Sequence, residues 1–346
     1  MELRQYGRIL WKWLWLIIAG AVVAGGVTYI VSSRSTPIYR ASNQLLIQQA
    51  NSPSGPQWTD VLTSERLAAN YARLGSGAQS RAIVEGFEAD VAALSLEADI
   101  NRIEKAGLIT QDWKDNPTKG MVSDSIVVFA VRPGNPKGIK DWADLAKPGV
   151  QILTPNPKTS GGAMWNILAL YGAAKRGFVE GVPANDDAAA MAFLTSVFKN
   201  VTVMDKGARE SITNFEKGVG DVAITYENEV LVGQQGGQDY EMVIPRSTIL
   251  IENPLAVVDG YAEKHGTREV ADAFVNFLLT KEAQEIFAQY GLRSIDPEVA
   301  KTTADQYPPV TDLFTIEEFG GWTEATPTYF GDDGIATQAI LQAQAK

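Results

Sequence analysis

The sequence predicts an α/β protein of two-domain length with a single transmembrane helix at its N-terminus. Three observations carry that expectation. From Gly75 onward, short apolar runs alternate with helix-period segments, the pattern of parallel or mixed open sheets covered by helices. The chain has 346 residues, enough for roughly two domains. Residues 13–31 form an uncharged run of 19 residues, about 28 Å as a helix, against a hydrocarbon layer of ~30 Å.

The N-terminal part is basic and the rest acidic. Residues 1–74 hold seven Lys or Arg and three acids, a charge of +4, and the remainder carries -15 of the total -11. Trp11, Trp13 and Trp15 sit at one end of the apolar run and Tyr29 near the other, as interfacial aromatics do. Arg4, Arg8 and Lys12 precede it, which predicts a cytoplasmic N-terminus and an ectodomain outside the cytoplasm. The run is longer than a signal peptide's apolar core, and no A-x-A-like site follows it. Next come an expected strand over 38–48, a Pro/Gly/Ser loop over 51–57 and an expected helix over 59–74.

In the acidic part, strands are expected at 89–96, 125–131, 150–154, 201–204, 222–226, 242–244 and 255–258. Helices are expected to begin at Ser80 and to cover 100–106, 163–174, 187–198, 208–217, 269–279 and 282–289.

Composition removes several function classes. With no cysteine there is no disulfide, thiolate nucleophile or Cys-based zinc site. One histidine, His265, leaves little room for a Ser-His-Asp triad or a multi-His metal centre. An acidic pI near 4.8 argues against nucleic acid as a partner. The acidic pairs Asp186-Asp187, Glu317-Glu318 and Asp332-Asp333 read as solvated helix ends or turns, so no enzyme and no cofactor is expected.

Ligands of open α/β sheets bind beyond the carboxyl ends of strands, at helix N-termini. Two segments fit: Gly75-Ser76-Gly77-Ala78-Gln79-Ser80, and Asn156 to Ala163 with Ser160, Gly161 and Gly162 at its end. A third is Asp205 to Ser211. Glycine lets the backbone approach a ligand, serine adds a neutral donor, and the helix dipole adds about half a positive charge. Each segment alone is equally an ordinary N-cap. Arg209 is either a counter-charge or, preferably, an ion-pair partner of Asp205 or another carboxylate. Tyr226, at a strand end, either donates to a ligand or is a half-buried aromatic. The GxxxxGK[ST] loop of nucleotide binding is absent.

Two family resemblances follow. The basic start, the apolar run, Pro37-x-Tyr39-x-Ala41 and the text from Val61 to Ala68 resemble the N-terminus of a polysaccharide chain-length determinant protein. From Gly75 to about Trp322 the chain resembles a sulfate/thiosulfate-binding protein of an ABC importer. The residues are GSGAQSRAIVEGFEADV (75–91), TPNPKTSGGAMWN (154–166), FKNVTVMDKGAR (198–209), GDVAITYENE (220–229), GTREVADAF (266–274) and LFTIEEFGGW (313–322).

The second resemblance implies a two-lobed type II periplasmic-binding-protein-like fold, with lobe one from 75–128 and 228–346 and lobe two from 129–227. It implies a dehydrated sulfate, or a similar tetrahedral oxyanion, held by neutral donors and delivered to permease subunits. The residues it assigns are Ser76 and Gly77 in the first loop, Ser160, Gly161 and Gly162 in the second, the Ala208 amide, and Tyr226 where better-known members have a tryptophan. The family's first βαβ block is expected to be missing, or replaced by residues 36–74. A phosphate-binding protein and a chain-length regulator with an adapted ectodomain are the alternative functions.

Overall fold

The computed structural model describes residues 75–345. Its helices are α1 (Ser76–Val84), α2 (Glu97–Lys105), α3 (Trp142–Leu145), α4 (Gly161–Lys175), α5 (Asp187–Phe198), α6 (Ala208–Glu216) and α7 (Glu227–Gln235). They continue as α8 (Asp259–His265), α9 (Arg268–Leu278), α10 (Lys281–Gln289), α11 (Pro297–Thr302), α12 (Gly321–Phe330) and α13 (Ile335–Gln344). The strands are β1 (Val91–Ala93), β2 (Met121–Val131), β3 (Ile152–Pro155), β4 (Val201–Asp205), β5 (Val222–Tyr226), β6 (Glu241–Val243), β7 (Ser247–Val257) and β8 (Asp312–Phe314).

The sheet is mixed, in the order β1-β7-β2-β5-β3-β4, with β6 on β2 and β8 on β7. Strands β3, β4 and β5 pair in parallel, with Ile152 opposite both Val201 and Val222. The two long strands, β2 and β7, pair antiparallel, as do β2 and β5. Ile126 to Val131 are all buried, so β2 reads as a continuous apolar run rather than an alternating one. Helix α4 is apolar nearly all round and 14 of its 15 residues are buried, which makes it a central helix. Phe129 and Trp142 meet edge to face at 4.7 Å, and the Trp142 indole donates to the Ser247 carbonyl at 2.8 Å.

Two elements fall where the sequence puts them, α5 and β5. The Asp186 carboxylate caps α5 by accepting from the Ala189 amide at 3.0 Å. Others differ. Helix α1 begins at Ser76 rather than Ser80, because Gly75 takes the extended N-cap conformation and Ser76 and Gly77 already form the first turn. Strand β1 keeps only three residues of 89–96. The Leu94 amide still reaches the Pro254 carbonyl at 3.1 Å, and α2 then starts at Glu97. Strand β7 runs from Ser247, with Pro254 tolerated beside an irregularity in the register with β2. Helices α8, α11, α12 and α13 carry no expectation from sequence.

The membrane expectation is corrected. Among the described residues no helix is long and apolar enough to cross a membrane. The run 13–31, the strand 38–48 and the helix 59–74 lie outside the described residues. Single-pass anchoring with a cytoplasmic N-terminus, and the lipid bilayer as a partner, are not supported.

Candidate functional site

The three singled-out loops come together. A β-carbon on Gly75 would lie 2.3 Å from the Thr159 carbonyl oxygen and 3.0 Å from both the Lys206 carbonyl oxygen and Ser160 Cα. The Thr159 hydroxyl donates to the Lys206 carbonyl at 2.8 Å, and the Asn156 amide to the Asp205 carbonyl at 2.8 Å. Sequence positions 75, 159 and 206 thus share one place.

Each loop opens a helix. The N-caps of α1, α4 and α6 are Gly75, Ser160 and Gly207, all extended, and none has a side-chain cap. By contrast Asp141, Thr280 and Asp296 cap α3, α10 and α11 with their own oxygens. First-turn amides have no acceptor within their helix. Those of Ser76, Gly77, Gly161, Gly162 and Ala208 are therefore available to a ligand, with the positive ends of three helix dipoles behind them.

The side chains close in around Gly161 and Gly162. A β-carbon on Gly161 would stand 2.5 Å from Ser76 Oγ and 2.6 Å from Leu96 Cγ. One on Gly162 would stand 3.2 Å from Ala208 Cβ and 3.4 Å from both Ser160 Oγ and Tyr226 Cε1. Gly77 lies on the same side, a β-carbon there being 3.6 Å from the Thr159 carbonyl oxygen. All seven residues singled out in the sequence are neighbours.

Tyr226 ends β5 and is 8% exposed, and its hydroxyl lies near the Ser95 side chain without a hydrogen bond of full geometry among the described residues. Burial, with Glu229 and Asp99 adding to it and Ser95 opposing, pushes the phenol far up, so it is a neutral donor. A buried hydroxyl without a partner is costly unless something else accepts from it.

The nearby charges are engaged. Arg209 Nη1 stands 2.9 Å from Glu229 Oε2, so Arg209 pairs with that carboxylate rather than with Asp205. Fully buried Glu227 takes two hydrogen bonds from Arg293, at 2.6 and 3.0 Å. Asp205 accepts from Asn214 at 2.7 Å, and burial raises its pKa. Asp99, 2% exposed, accepts from Ser76 Oγ at 2.6 Å, Ser80 Oγ at 3.1 Å and Arg102 Nη1 at 2.5 Å. Sequence reasoning missed Asp99. Its only local signal is Arg102 three residues on, and its serine partners are 23 and 19 residues away. Among the described residues no group of His, Asp or Glu is arranged to hold a metal ion.

Comparison with known proteins gives the family. Residues 33–293 match the family model described as bacterial extracellular solute-binding protein. The chain is 44% identical over 301 residues to a sulfate-binding protein of Synechococcus elongatus, covering 86% of this chain and 84% of the relative. It is 36% identical over 324 residues to a thiosulfate-binding protein of Escherichia coli, covering 92% and 93%. Among solved structures, the sulfate-binding protein SubI from Mycobacterium tuberculosis superposes with a TM-score of 0.67 at 40% identity, over 74% of this chain and 86% of that one. The family match starts at residue 33, so it takes in the whole segment 36–74 that resembles a chain-length determinant, a relationship these comparisons do not show. The chain belongs to the bacterial extracellular solute-binding proteins, in the family of the sulfate- and thiosulfate-binding proteins.

Proposed function

We propose that this chain captures sulfate or thiosulfate and delivers it to the permease subunits of an ABC-type importer, making and breaking no bond in the ligand. The observation that carries this reading is the meeting of three uncapped helix N-termini around Gly161 and Gly162, beside a buried tyrosine hydroxyl with no hydrogen bond of full geometry among the described residues. The first-turn amides of Ser76, Gly77, Gly161, Gly162 and Ala208, with the hydroxyls of Ser160 and Tyr226, form a neutral donor set for a dehydrated tetrahedral anion. Hydrogen bonds to a charged acceptor are worth about 1.5–3 kcal/mol each, so a handful suffices. The net charge of -11 does not forbid this. Distant charges are screened over about 8–10 Å, whereas the donors act at contact.

The two-lobed division, 75–128 with 228–346 against 129–227, belongs to the same proposal. Loop one then comes from the first lobe and loops two and three from the second. Strand β2, 11 residues long, runs across the boundary and supplies a hinge. Equilibrium dialysis of the purified full chain against labelled sulfate tests the reading. Saturable uptake of one sulfate per chain, displaced by unlabelled thiosulfate, is expected. No retention of either anion contradicts it.

A further inference from the structure

The residue after Tyr226 is held from far along the chain. Glu227 opens α7, is fully buried, and meets the Arg293 guanidinium in a forked pair, Nε on Oε2 at 2.6 Å and Nη2 on Oε1 at 3.0 Å. Arg293 is itself fixed on two sides. Its backbone exchanges hydrogen bonds with Asp124 of β2 at 2.8 and 2.9 Å, and its guanidinium carbon lies 5.0 Å from the centre of the Tyr307 ring. Gly291, in the left-handed conformation at φ +75°, lets the same turn press on α7. A β-carbon there would stand 2.8 Å from Leu231 Cβ and 3.3 Å from Asn228 Cα.

Strand β2 holds this point from the other side. Val127 is the register partner of Tyr226, and the Ser125 hydroxyl donates to Asn228 Oδ1 at 3.3 Å. The β5–α7 junction is thus clamped between β2 and the turn 289–293. Stability alone does not call for a buried ion pair here. Desolvation offsets the attraction, and an apolar pair of similar volume holds a fold as well or better. What a forked pair adds is a fixed direction and distance. Here that precision falls one residue from Tyr226, whose Cε1 lies 3.4 Å from where a β-carbon on Gly162 would stand. We infer that Arg293 is a positioning residue for anion capture: through Glu227 it sets the place of Tyr226 beside Gly162 without itself touching the ligand. The inference rests on the oxyanion reading of the site and adds to it a residue remote in sequence.

Arg293→Lys keeps the charge and gives up the fork. In calorimetric titrations of the full chain, R293K should bind sulfate about tenfold more weakly than wild type, most of the worth of one hydrogen bond to a charged group. In the Tyr226→Phe background, where the hydroxyl is already gone, the same change should cost no more than about twofold, because both changes remove one contact. A residue that only supports the fold would lower affinity equally in the two backgrounds.

A second variant separates positioning from stability. Glu227→Met combined with Arg293→Met leaves no buried charge unpaired and no change in net charge, so the anion feels no new field. This pair variant should melt at or above the wild-type temperature. It should still bind sulfate about tenfold more weakly, since two flexible apolar side chains hold no fixed distance. Wild-type affinity in R293K, an equal loss with and without the Tyr226 hydroxyl, or wild-type affinity in the paired methionine variant would each overturn the role of Arg293. Either variant decides alone should the other fail to fold. A wild-type chain that binds neither sulfate nor thiosulfate refutes instead the oxyanion reading on which the inference stands.

Discussion

Ser76 and Gly161 touch: the serine oxygen occupies the space that a side chain on residue 161 would need. Helices α1 and α4 can bring their N-termini together only because residue 161 has no β-carbon. Gly161→Ala would push against Ser76 Oγ at 2.5 Å and Leu96 Cγ at 2.6 Å. Overpacking of this kind costs about 1–3 kcal/mol and moves backbone. We expect G161A to lower sulfate affinity at least about a hundredfold while the chain still folds. Calorimetry and a thermal melt check the two halves. Unaltered affinity would mean that the two helix ends do not share a ligand.

Tyr226 separates binding from stability. Among the described residues its buried hydroxyl has only the neighbouring Ser95 side chain and no hydrogen bond of full geometry, so Tyr226→Phe removes little from the folded chain. The melting temperature should stay level or rise, since an unsatisfied buried polar atom is removed. Sulfate affinity should fall by roughly ten- to a hundredfold, the worth of one bond to an anion. Paired melts and titrations of wild type and Y226F read both numbers. A drop in stability without a drop in affinity would mean the hydroxyl serves the fold instead.

Asp124 gives the fold a pH dependence below neutrality. It lies opposite Glu252 in the β2–β7 ladder, and its backbone pairs with Arg293. Burial, then the charge of Glu252, pushes its carboxyl up to about 7, with Arg293 opposing. Because the folded chain holds this proton more tightly than the unfolded one, stability falls as pH rises from the ordinary value of 3.8 toward about 7. Asp124→Asn should flatten that slope and add about 1–3 kcal/mol at pH ~8. Urea unfolding at several pH values decides it. An unchanged slope would remove Asp124 as its source.

His265 acts in a higher window. Its ring lies between Asp90, 2.6 Å from Nδ1, and Glu88, 2.9 Å from Nε2, and stacks on Tyr261. Burial alone would lower its pKa, but the hydrogen bonds to Glu88 and Asp90 outweigh it and raise the value above 6.5. The stabilisation is complete below the unfolded pKa of 6.5 and is lost as pH climbs through the raised folded one. His265→Asn should therefore cost most near pH ~6 and progressively less above it. A cost independent of pH would assign the histidine to packing alone.

The sequence speaks clearly where one local cause dominates. Helix α5 has an aspartate cap and an apolar body, and β5 is a short β-branched and aromatic run, so both are legible to the residue. Helix α1 is misplaced by four residues because a Gly-Ser-Gly start looks like loop until three-dimensional packing makes it a first turn. The first half of β7 hides behind the Glu252-Asn253-Pro254 breakers, and α12 carries Pro327 inside it. For the site, glycines and serines at strand-to-helix junctions give away the donors. Asp99 stays hidden because an acid within a charged helix looks like any solvated one, and only the distant Ser76 and Ser80 reveal what it does.

The central claim is that neutral donors at three helix starts hold a tetrahedral dianion despite the acidic chain. Isothermal titration of the full-length protein with sulfate, thiosulfate, phosphate and molybdate tests it most directly. The account predicts a saturable one-to-one heat with sulfate or thiosulfate that is lost in G161A. No heat with any of the four anions would contradict it.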